Sequence, residues 1–312
     1  MDERIYSIED ILDSSELVFV DTSCDSFLGE HVLWNSFNSR YYFELNRKEL
    51  RDNLASQSFF RDILIKPNVY TVPEVVGEIF DLSNGLSNKI RFLNSNSNYH
   101  DLNKHSRNKK SKILESKDLI SKLQRQVWRN YKLAEKSIYP VEDERIGILT
   151  DMVKIIDGEI GLKQDASVFY HDRNQYKKSR DTDERLVANL YYHSIFSRDK
   201  PVLLTRDTDF IRLFGVAGRM LGSKEFTPLN QEFRDGIVYN PLTVYLCLPK
   251  GWVKRIDSSN THFDDKFKIR FMFYERNETI KNQVSCLWKK FNDSIKVYEK
   301  SDEPDYPTIN TK

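Results

Sequence analysis

Two carboxylates in this 312-residue chain follow closely on runs of apolar residues. Residues 16–20 (Glu-Leu-Val-Phe-Val) lead into Asp21, and residues 201–205 (Pro-Val-Leu-Leu-Thr) lead through Arg206 into Asp207. Short apolar runs bounded by turn or helix-start signals are typical of buried parallel strands. Because an acid is awkward inside a core, a carboxylate at such a strand end is a candidate for chemistry. For Asp21 the competing interpretation is a helix N-cap.

The other candidate acids lie in segments with helical patterns. In the helix predicted over residues 73–82, Glu74 and Glu78 lie one turn apart and share a face. Glu78 is preferred because it ends an apolar segment, although an exposed helical acid is the alternative. Asp183 and Glu184 stand at the start of a second predicted helix, where the helix dipole alone favours acids.

Acids in these positions suit the hydrolysis of phosphodiesters. That reaction needs an activated water and neutralised phosphate charge, and bound Mg²⁺ or Mn²⁺ supplies both. Such cations prefer oxygen ligands, and a Mg²⁺ site takes only one or two carboxylates directly. In parallel sheets, ligands bind outside the carboxyl ends of the strands. The hydroxyls of Ser23 and Thr205 are therefore expected to support the same pocket.

The elements that must position these acids alternate between strand and helix, which predicts an α/β fold with a doubly wound parallel sheet. Residues 84–98 are rich in Asn, Ser and Gly, and they are predicted to form a loop leading away from the core. The predicted division is a core of residues 1–83 and 145–250, an inserted helical segment at 84–144, and a C-terminal extension at 251–312.

The insertion carries a strongly basic helical pattern. Residues 104–136 contain eleven Lys or Arg and three acids, and Ile120, Leu123, Val127 and Trp128 are spaced as one apolar helical stripe. Two interpretations stay open, a solvated helix face that covers the core and a surface that contacts phosphates. The candidate nucleic-acid contacts in the insertion are Lys109, Lys110, Lys112 and Lys117.

The C-terminal third is predicted to hold an antiparallel strand pair and a helix. Residues 243–248 and 252–256 are strand-like, and residues 266–273 alternate as a half-buried strand. Residues 277–298 have the spacing of an amphipathic helix. The outer face of the alternating strand carries three further candidate nucleic-acid contacts, Lys266, Lys268 and Arg270.

Composition excludes several classes of protein. The chain has 48 basic and 47 acidic residues and is 39% hydrophobic, which fits neither a disordered chain nor a polycation. No apolar run approaches the ~20 residues that span a bilayer, so a cytoplasmic protein without a membrane segment is expected. The three cysteines show no CxxC spacing and the six histidines no HExxH pair, so a thiolate or histidine zinc site is not predicted.

Four segments, taken in order, resemble the PIN-domain nuclease family. They are the strand ending in Asp21-Thr22-Ser23, TVPEVVGE at 71–78, TDERLVAN at 182–189 and LLTRDTDF at 203–210. The last, of the form L-x-T-x-D-x-D-F, is the most specific. The resemblance covers residues 16–82 and 150–248, and the insertion and the extension exceed what simple PIN enzymes contain.

The resemblance implies a PIN-type sheet and a site for one or two Mg²⁺ or Mn²⁺ ions. It implies endonucleolytic cleavage, usually of RNA, by a metal-activated water. If the chain belongs to a toxin or defence system, a small inhibitory or antitoxin-like protein that covers the pocket is also expected. The implied ligands are Asp21, Glu78, Asp183 and Asp207, with Glu184 and Asp209 as auxiliaries.

Other functions remain in competition. A PIN-like fold also serves structure-specific DNA nucleases, and a catalytically silent scaffold that binds RNA or protein is a further alternative. A haloacid dehalogenase-type phosphatase is disfavoured because it needs a second Asp two residues after the first, where this chain has Ser23. A nucleotide-binding module is rejected because no glycine-rich phosphate loop is present.

Overall fold

The structure is a computed structural model of the full chain. The residues that it describes are 5–26, 47–95, 107–139, 143–160, 182–196, 200–207, 210, 213–214, 243–248, 251–256 and 278–300.

Six strands form one sheet in the part of the chain that the structure describes. Its spatial order is β1-β6-β5-β4-β2-β3, in which β3, β2, β4 and β5 run parallel. β6 runs antiparallel to both β5 and β1. The α/β fold class predicted from the sequence is confirmed, with a mostly parallel sheet. The strands are β1 (Ile5–Ser7), β2 (Leu17–Val20), β3 (Val69–Tyr70), β4 (Pro201–Thr205), β5 (Thr243–Leu248) and β6 (Trp252–Ile256).

The two strands that precede the candidate acids are neighbours. Every residue of β2 and β4 is buried, as expected for apolar strands covered on both faces. They pair in parallel register, with Val20 opposite Leu204, and the Asp21 N–H continues the ladder by donating to the Leu204 carbonyl at 3.0 Å. Both strands therefore end at one edge of the sheet, as the sequence predicted.

Seven helices surround this sheet in the part of the chain that the structure describes. All four helices predicted from the sequence are present, and α1, α2 and α5 are helices that the sequence analysis did not predict. α4 packs against both α2 and α3, while α5 packs against α6 and α7. The helices are α1 (Ile8–Ser14), α2 (Arg47–Leu64), α3 (Pro73–Ser95), α4 (Arg107–Lys136), α5 (Glu144–Ile160), α6 (Thr182–Phe196) and α7 (Glu278–Lys300).

The prediction of a loop over residues 84–98 is wrong for residues 84–95, because α3 continues to Ser95. Ser83 and Leu86 are buried, and the Gln124 side-chain amide of α4 donates to the Ser87 hydroxyl at 3.2 Å. The Asn, Ser and Gly composition lowers helix propensity. Packing against α4 overrides that local preference.

The basic segment forms a single long helix whose apolar stripe faces the core. Ile120, Leu123 and Val127 are buried as predicted, whereas Trp128 is 41% exposed and lies outside the stripe. Trp128 directly follows Val127, and a step of about 100° turns it away from the buried face. The predicted boundaries at residues 84, 145 and 251 stay predictions.

The C-terminal elements complete the fold. α7 buries Val284 and Phe291, as its spacing predicted, and β6 pairs with β5 across Gly251, whose φ of 81° suits a residue without a Cβ. The predicted strand at 266–273 lies outside the described residues. Among the helices that are described, none is both long and apolar enough to cross a membrane.

Candidate active site

Asp21 is the buried centre of the candidate site. It follows β2 directly and is only 4% exposed. Its Oδ2 accepts hydrogen bonds from the Thr205 hydroxyl at 2.8 Å and from the Ser23 hydroxyl. Burial raises the pKa of the Asp21 carboxyl above its ordinary value, and the hydrogen bonds from Ser23 and Thr205 oppose that shift. The protein thus holds a poorly solvated carboxylate at the end of its central strand.

The Ser23 and Thr205 hydroxyls connect Asp21 to the segment after β4. The Thr205 oxygen accepts a hydrogen bond from the Asp207 N–H at 3.0 Å, and the Ser23 oxygen accepts one from the Arg206 N–H at 2.9 Å. Each hydroxyl therefore donates to the carboxylate and accepts from the chain that carries Asp207. The supporting position predicted for both hydroxyls agrees with these contacts.

Glu78 connects two other segments. Its Oε2 accepts from the Thr22 hydroxyl at 2.5 Å and its Oε1 accepts from the Thr182 hydroxyl at 2.6 Å. Thr22 follows Asp21 in sequence, and Thr182 precedes Asp183. The carboxylate of α3 therefore ties the turn after β2 to the first turn of α6. Glu74, the alternative on the same helix face, has a buried Oε2 without a hydrogen-bond partner among the described residues.

The first turn of α6 carries two further acids of the predicted site, Asp183 and Glu184. Asp183 is half-buried beside the Glu78–Thr182 contact, and Glu184 is buried. Acids at this position also suit the partial positive charge of a helix N-terminus.

The four predicted acidic segments thus meet through hydroxyl groups. One set of contacts joins Asp21 to the chain at Asp207, and the other joins Glu78 to the residues beside Asp21 and Asp183. Within the described part of the chain, no group of three or more His, Cys, Asp or Glu side chains is placed so that it could hold a metal ion. The carboxylates are linked by hydroxyls rather than gathered around one point.

The chemistry of these donors suits a hard cation. Every side-chain group in the two hydrogen-bonded sets is a carboxylate or a hydroxyl, and Mg²⁺ and Mn²⁺ prefer oxygen. Mg²⁺ keeps several waters and takes only one or two carboxylates, so it does not require three acids in direct contact. Asp21 and Asp207 are the two candidate carboxylates that follow the paired strands β2 and β4.

Two buried cysteine thiols, those of Cys24 and Cys247, lie next to the site. Cys24, in the 3₁₀ turn Thr22–Ser26, donates to the Leu204 carbonyl at 3.2 Å, and its sulfur lies 3.8 Å from that of Cys247 on β5. The hydrogen bond with Cys247 and burial hold the pKa of the Cys24 thiol well above its ordinary value. A protonated thiol is a weak nucleophile and a poor metal ligand, so Cys24 serves here as packing.

Several predicted site residues cannot be compared with the structure. Asp209 and the basic residues Lys266, Lys268 and Arg270 lie outside the described residues. α4 includes the basic positions 109, 110, 112 and 117, but their side chains are not among those described.

Sequence reasoning missed two hydroxyl residues, Thr22 and Thr182. A signal for them exists, because a threonine lies within two residues of Asp21, Asp183 and Asp207. A hydroxyl can donate to a carboxylate and accept from the backbone at the same time. That dual capacity makes threonine beside an acid a useful marker of a polar network.

Comparisons with known proteins identify no relative. No family model matches the chain, no curated protein matches its sequence, and no solved structure matches its fold.

Proposed function

We propose that this protein is a metal-dependent endoribonuclease of the PIN type, with Asp21, Glu78, Asp183 and Asp207 as its acidic site. One observation carries the proposal. Four acidic segments that are distant in sequence are joined by buried and part-buried hydroxyl contacts at the carboxyl edge of β2 and β4. The proposal also assigns the sheet to the doubly wound PIN type, with α4 as an insertion and β6 and α7 as parts of a C-terminal extension.

The residues have different tasks in this proposal. Asp21 and Asp207 bind Mg²⁺ or Mn²⁺, while Ser23 and Thr205 fix the orientation of the Asp21 carboxylate. Glu78 holds the turn after β2 against α6 through its contacts with Thr22 and Thr182. When bound, a divalent ion supplies charge neutralisation at the phosphate and an acidified attacking water.

The electrostatics of Asp21 support a cation at this edge. A carboxylate whose pKa is raised mainly by burial is poorly stabilised when ionised. A nearby divalent cation favours the ionised form and offsets that cost. The hydroxyl contacts alone leave the pKa above its ordinary value, so a cation bound beside Asp21 would stabilise the ionised carboxylate.

The test is a cleavage assay on three labelled substrates. Single-stranded RNA, structured RNA and DNA are each incubated with the purified protein in Mg²⁺, Mn²⁺ or EDTA. We expect internal cuts in RNA with Mn²⁺ or Mg²⁺ and none with EDTA. Cleavage confined to DNA would identify the DNA nuclease instead. Binding without cleavage would identify a silent scaffold, and release of terminal phosphate alone would identify a phosphatase.

A further inference from the structure

An exposed aromatic cluster lies between α3 and α4. The Phe80 and Tyr131 ring centroids are 5.2 Å apart, and those of Trp128 and Tyr131 are 5.1 Å apart. Trp128 is 41% exposed and Phe80 is 36% exposed, so large apolar rings face the solvent. The buried apolar stripe of α4 does not include this cluster, and neither does the candidate active site.

A cation lies directly against the rings. The Lys132 ammonium is 5.4 Å from the Trp128 centroid and 4.9 Å from that of Tyr131. Glu135 holds this arrangement, because its carboxylate accepts from Lys132 at 3.0 Å and from the Tyr131 hydroxyl at 3.1 Å. The cluster is therefore ordered by local contacts.

A basic stripe continues from the aromatic cluster along the solvent side of α4. The exposed basic residues recur at intervals of three, four, three and four, which places them on one helix face. Between residues 118 and 136 only two residues, Asp118 and Glu135, are acidic. The stripe consists of Lys122, Arg125, Arg129, Lys132 and Lys136, all of which are exposed.

The cluster lies close to the candidate active site along the chain. α3 and α4 run antiparallel, because Thr71 N–H donates to the Ser137 carbonyl at one end and Gln124 reaches Ser87 farther along. Phe80 is two residues from Glu78 on α3, a rise of about 3 Å along the helix axis. Glu78 contacts the active-site threonines, while Phe80 faces α4.

We propose that Trp128, Tyr131 and Phe80 form a stacking surface for single-stranded nucleic acid, whose phosphates run along the basic stripe of α4. Proteins bind single strands by combining aromatic rings that stack on bases with a positively charged track for the backbone. The adjacency of exposed rings and an excess of basic side chains matches that chemistry. The occupant we infer is the strand that the active site cuts, so this inference rests on the proposed function.

The experiment measures binding of a short labelled oligouridylate to the full chain in EDTA, where cleavage cannot interfere. Trp128→Ala is expected to weaken binding by about 5- to 100-fold, the loss typical of one base–aromatic stack. Trp128→Phe keeps a ring and is expected to bind within a few-fold of wild type. Trp252→Ala is the matched control, because Trp252 is also exposed, at 49%. It lies on β6, which is far in the sheet order from β3, the strand whose end contacts α4.

A second measurement addresses the basic stripe. Arg129→Gln is expected to weaken binding and to reduce the slope of log K against log salt concentration by about one, as for the loss of one phosphate contact. Circular dichroism and melting curves establish that each variant is folded.

Unchanged affinity in Trp128→Ala, or an equal loss in Trp252→Ala, would overturn the proposal. No binding of oligouridylate by the wild type would also overturn it and would leave the cluster as a protein-docking surface. Trp128-dependent binding by a protein that cleaves nothing would contradict only the proposed nuclease.

Discussion

Hydroxyl groups organise the candidate site as much as carboxylates do. Thr205 and Ser23 each donate to Asp21 and accept from the backbone after β4, and Thr22 and Thr182 occupy both oxygens of Glu78. The Ser23 and Thr205 hydroxyls each bond two groups at once, which lowers the cost of burying the Asp21 carboxylate. At the residue scale, the candidate site consists of two acids, Asp21 and Glu78, each of which is held in place by two hydroxyl groups.

A buried histidine on α6 gives a prediction about pH. His193 is buried among the rings of Phe19, Tyr139 and Tyr192, and its Nε2 has no hydrogen-bond partner among the described residues. Burial lowers its pKa to about 4, with the charge of Asp143 opposing the shift.

The unfolded chain therefore binds a proton on His193 at a higher pH than the folded protein does. Above pH 6.5 the residue is neutral in both states and has no effect on pH dependence. Between pH 6.5 and 4 the unfolding free energy falls, by on the order of 3 kcal/mol for a shift of this size. We expect the unfolding free energy of His193→Phe, measured with urea at each pH, to show most of that decline removed. A decline equal to that of the wild type would contradict the lowered pKa of His193.

At the residue scale, position after a strand could be predicted from sequence. Asp21 and Asp207 were chosen because each closely follows an apolar run, and the structure places both runs in paired strands, with Ser23 and Thr205 bonded to Asp21. The roles of these residues in a metal site stay predictions. Thr22 and Thr182 were missed because their common partner, Glu78, lies 56 and 104 residues away in sequence. Local pattern does not report such long-range contacts.

At the scale of elements, α4 is more than a surface addition. It buries Asn130 completely, and the Asn130 amide donates to the Gln57 backbone carbonyl at 2.9 Å and to the Gln57 side-chain oxygen at 2.7 Å. Thr71, at the end of β3, donates its hydroxyl to the Ala134 carbonyl at 3.0 Å. These contacts join α4 to α2 and to the edge of the sheet.

Asn130→Ala tests whether α4 is integral to the fold. The variant removes the donor from two buried acceptors on α2, and the expected loss of unfolding free energy is about 1–3 kcal/mol. Arg129→Ala is the control, since Arg129 is exposed and alanine favours the helix. Chemical denaturation measures both. Equal stability of Asn130→Ala and wild type would indicate that the insertion folds apart from the core.

Helix and strand periodicity predicted α4, α6, α7, β2, β4 and β5 from sequence because each has a clear apolar pattern. The same approach ended α3 too early, since Asn, Ser and Gly favour loops when packing is ignored. β1 and β3 are three and two residues long. Strands that short carry no usable period, so their place in the sheet depends on tertiary pairing alone.

At the scale of the whole molecule, the proposed function depends on the separation of charges rather than on their sum. The net charge is only +1, yet acidic segments meet at the carboxyl edge of the sheet while α4 carries an excess of basic residues beside it. The Thr71–Ser137 and Thr71–Ala134 contacts bring the end of α4 to that same edge. A phosphate-bearing strand could thus meet a basic surface before it reaches the acidic site.

The most direct test of the central claim compares Asp21→Asn with Asp151→Asn, a change at an exposed acid on α5 with a 62% exposed side chain. Asn accepts the Ser23 and Thr205 hydrogen bonds without a buried charge. Because burial raises the pKa of Asp21, its ionised form costs stability near neutral pH, and the melting temperature of Asp21→Asn should be unchanged or raised.

The measurement is Mn²⁺-dependent cleavage of labelled single-stranded RNA, with melting curves recorded in Mn²⁺ and in EDTA. We predict that Asp21→Asn lowers cleavage by more than about 100-fold, beyond the loss typical of residues that only support a metal ligand. It should also abolish the Mn²⁺-induced rise in melting temperature, whereas Asp151→Asn should match wild type in both. Wild-type cleavage and a full Mn²⁺ shift in Asp21→Asn would contradict the assignment of this edge of the sheet as the catalytic metal site.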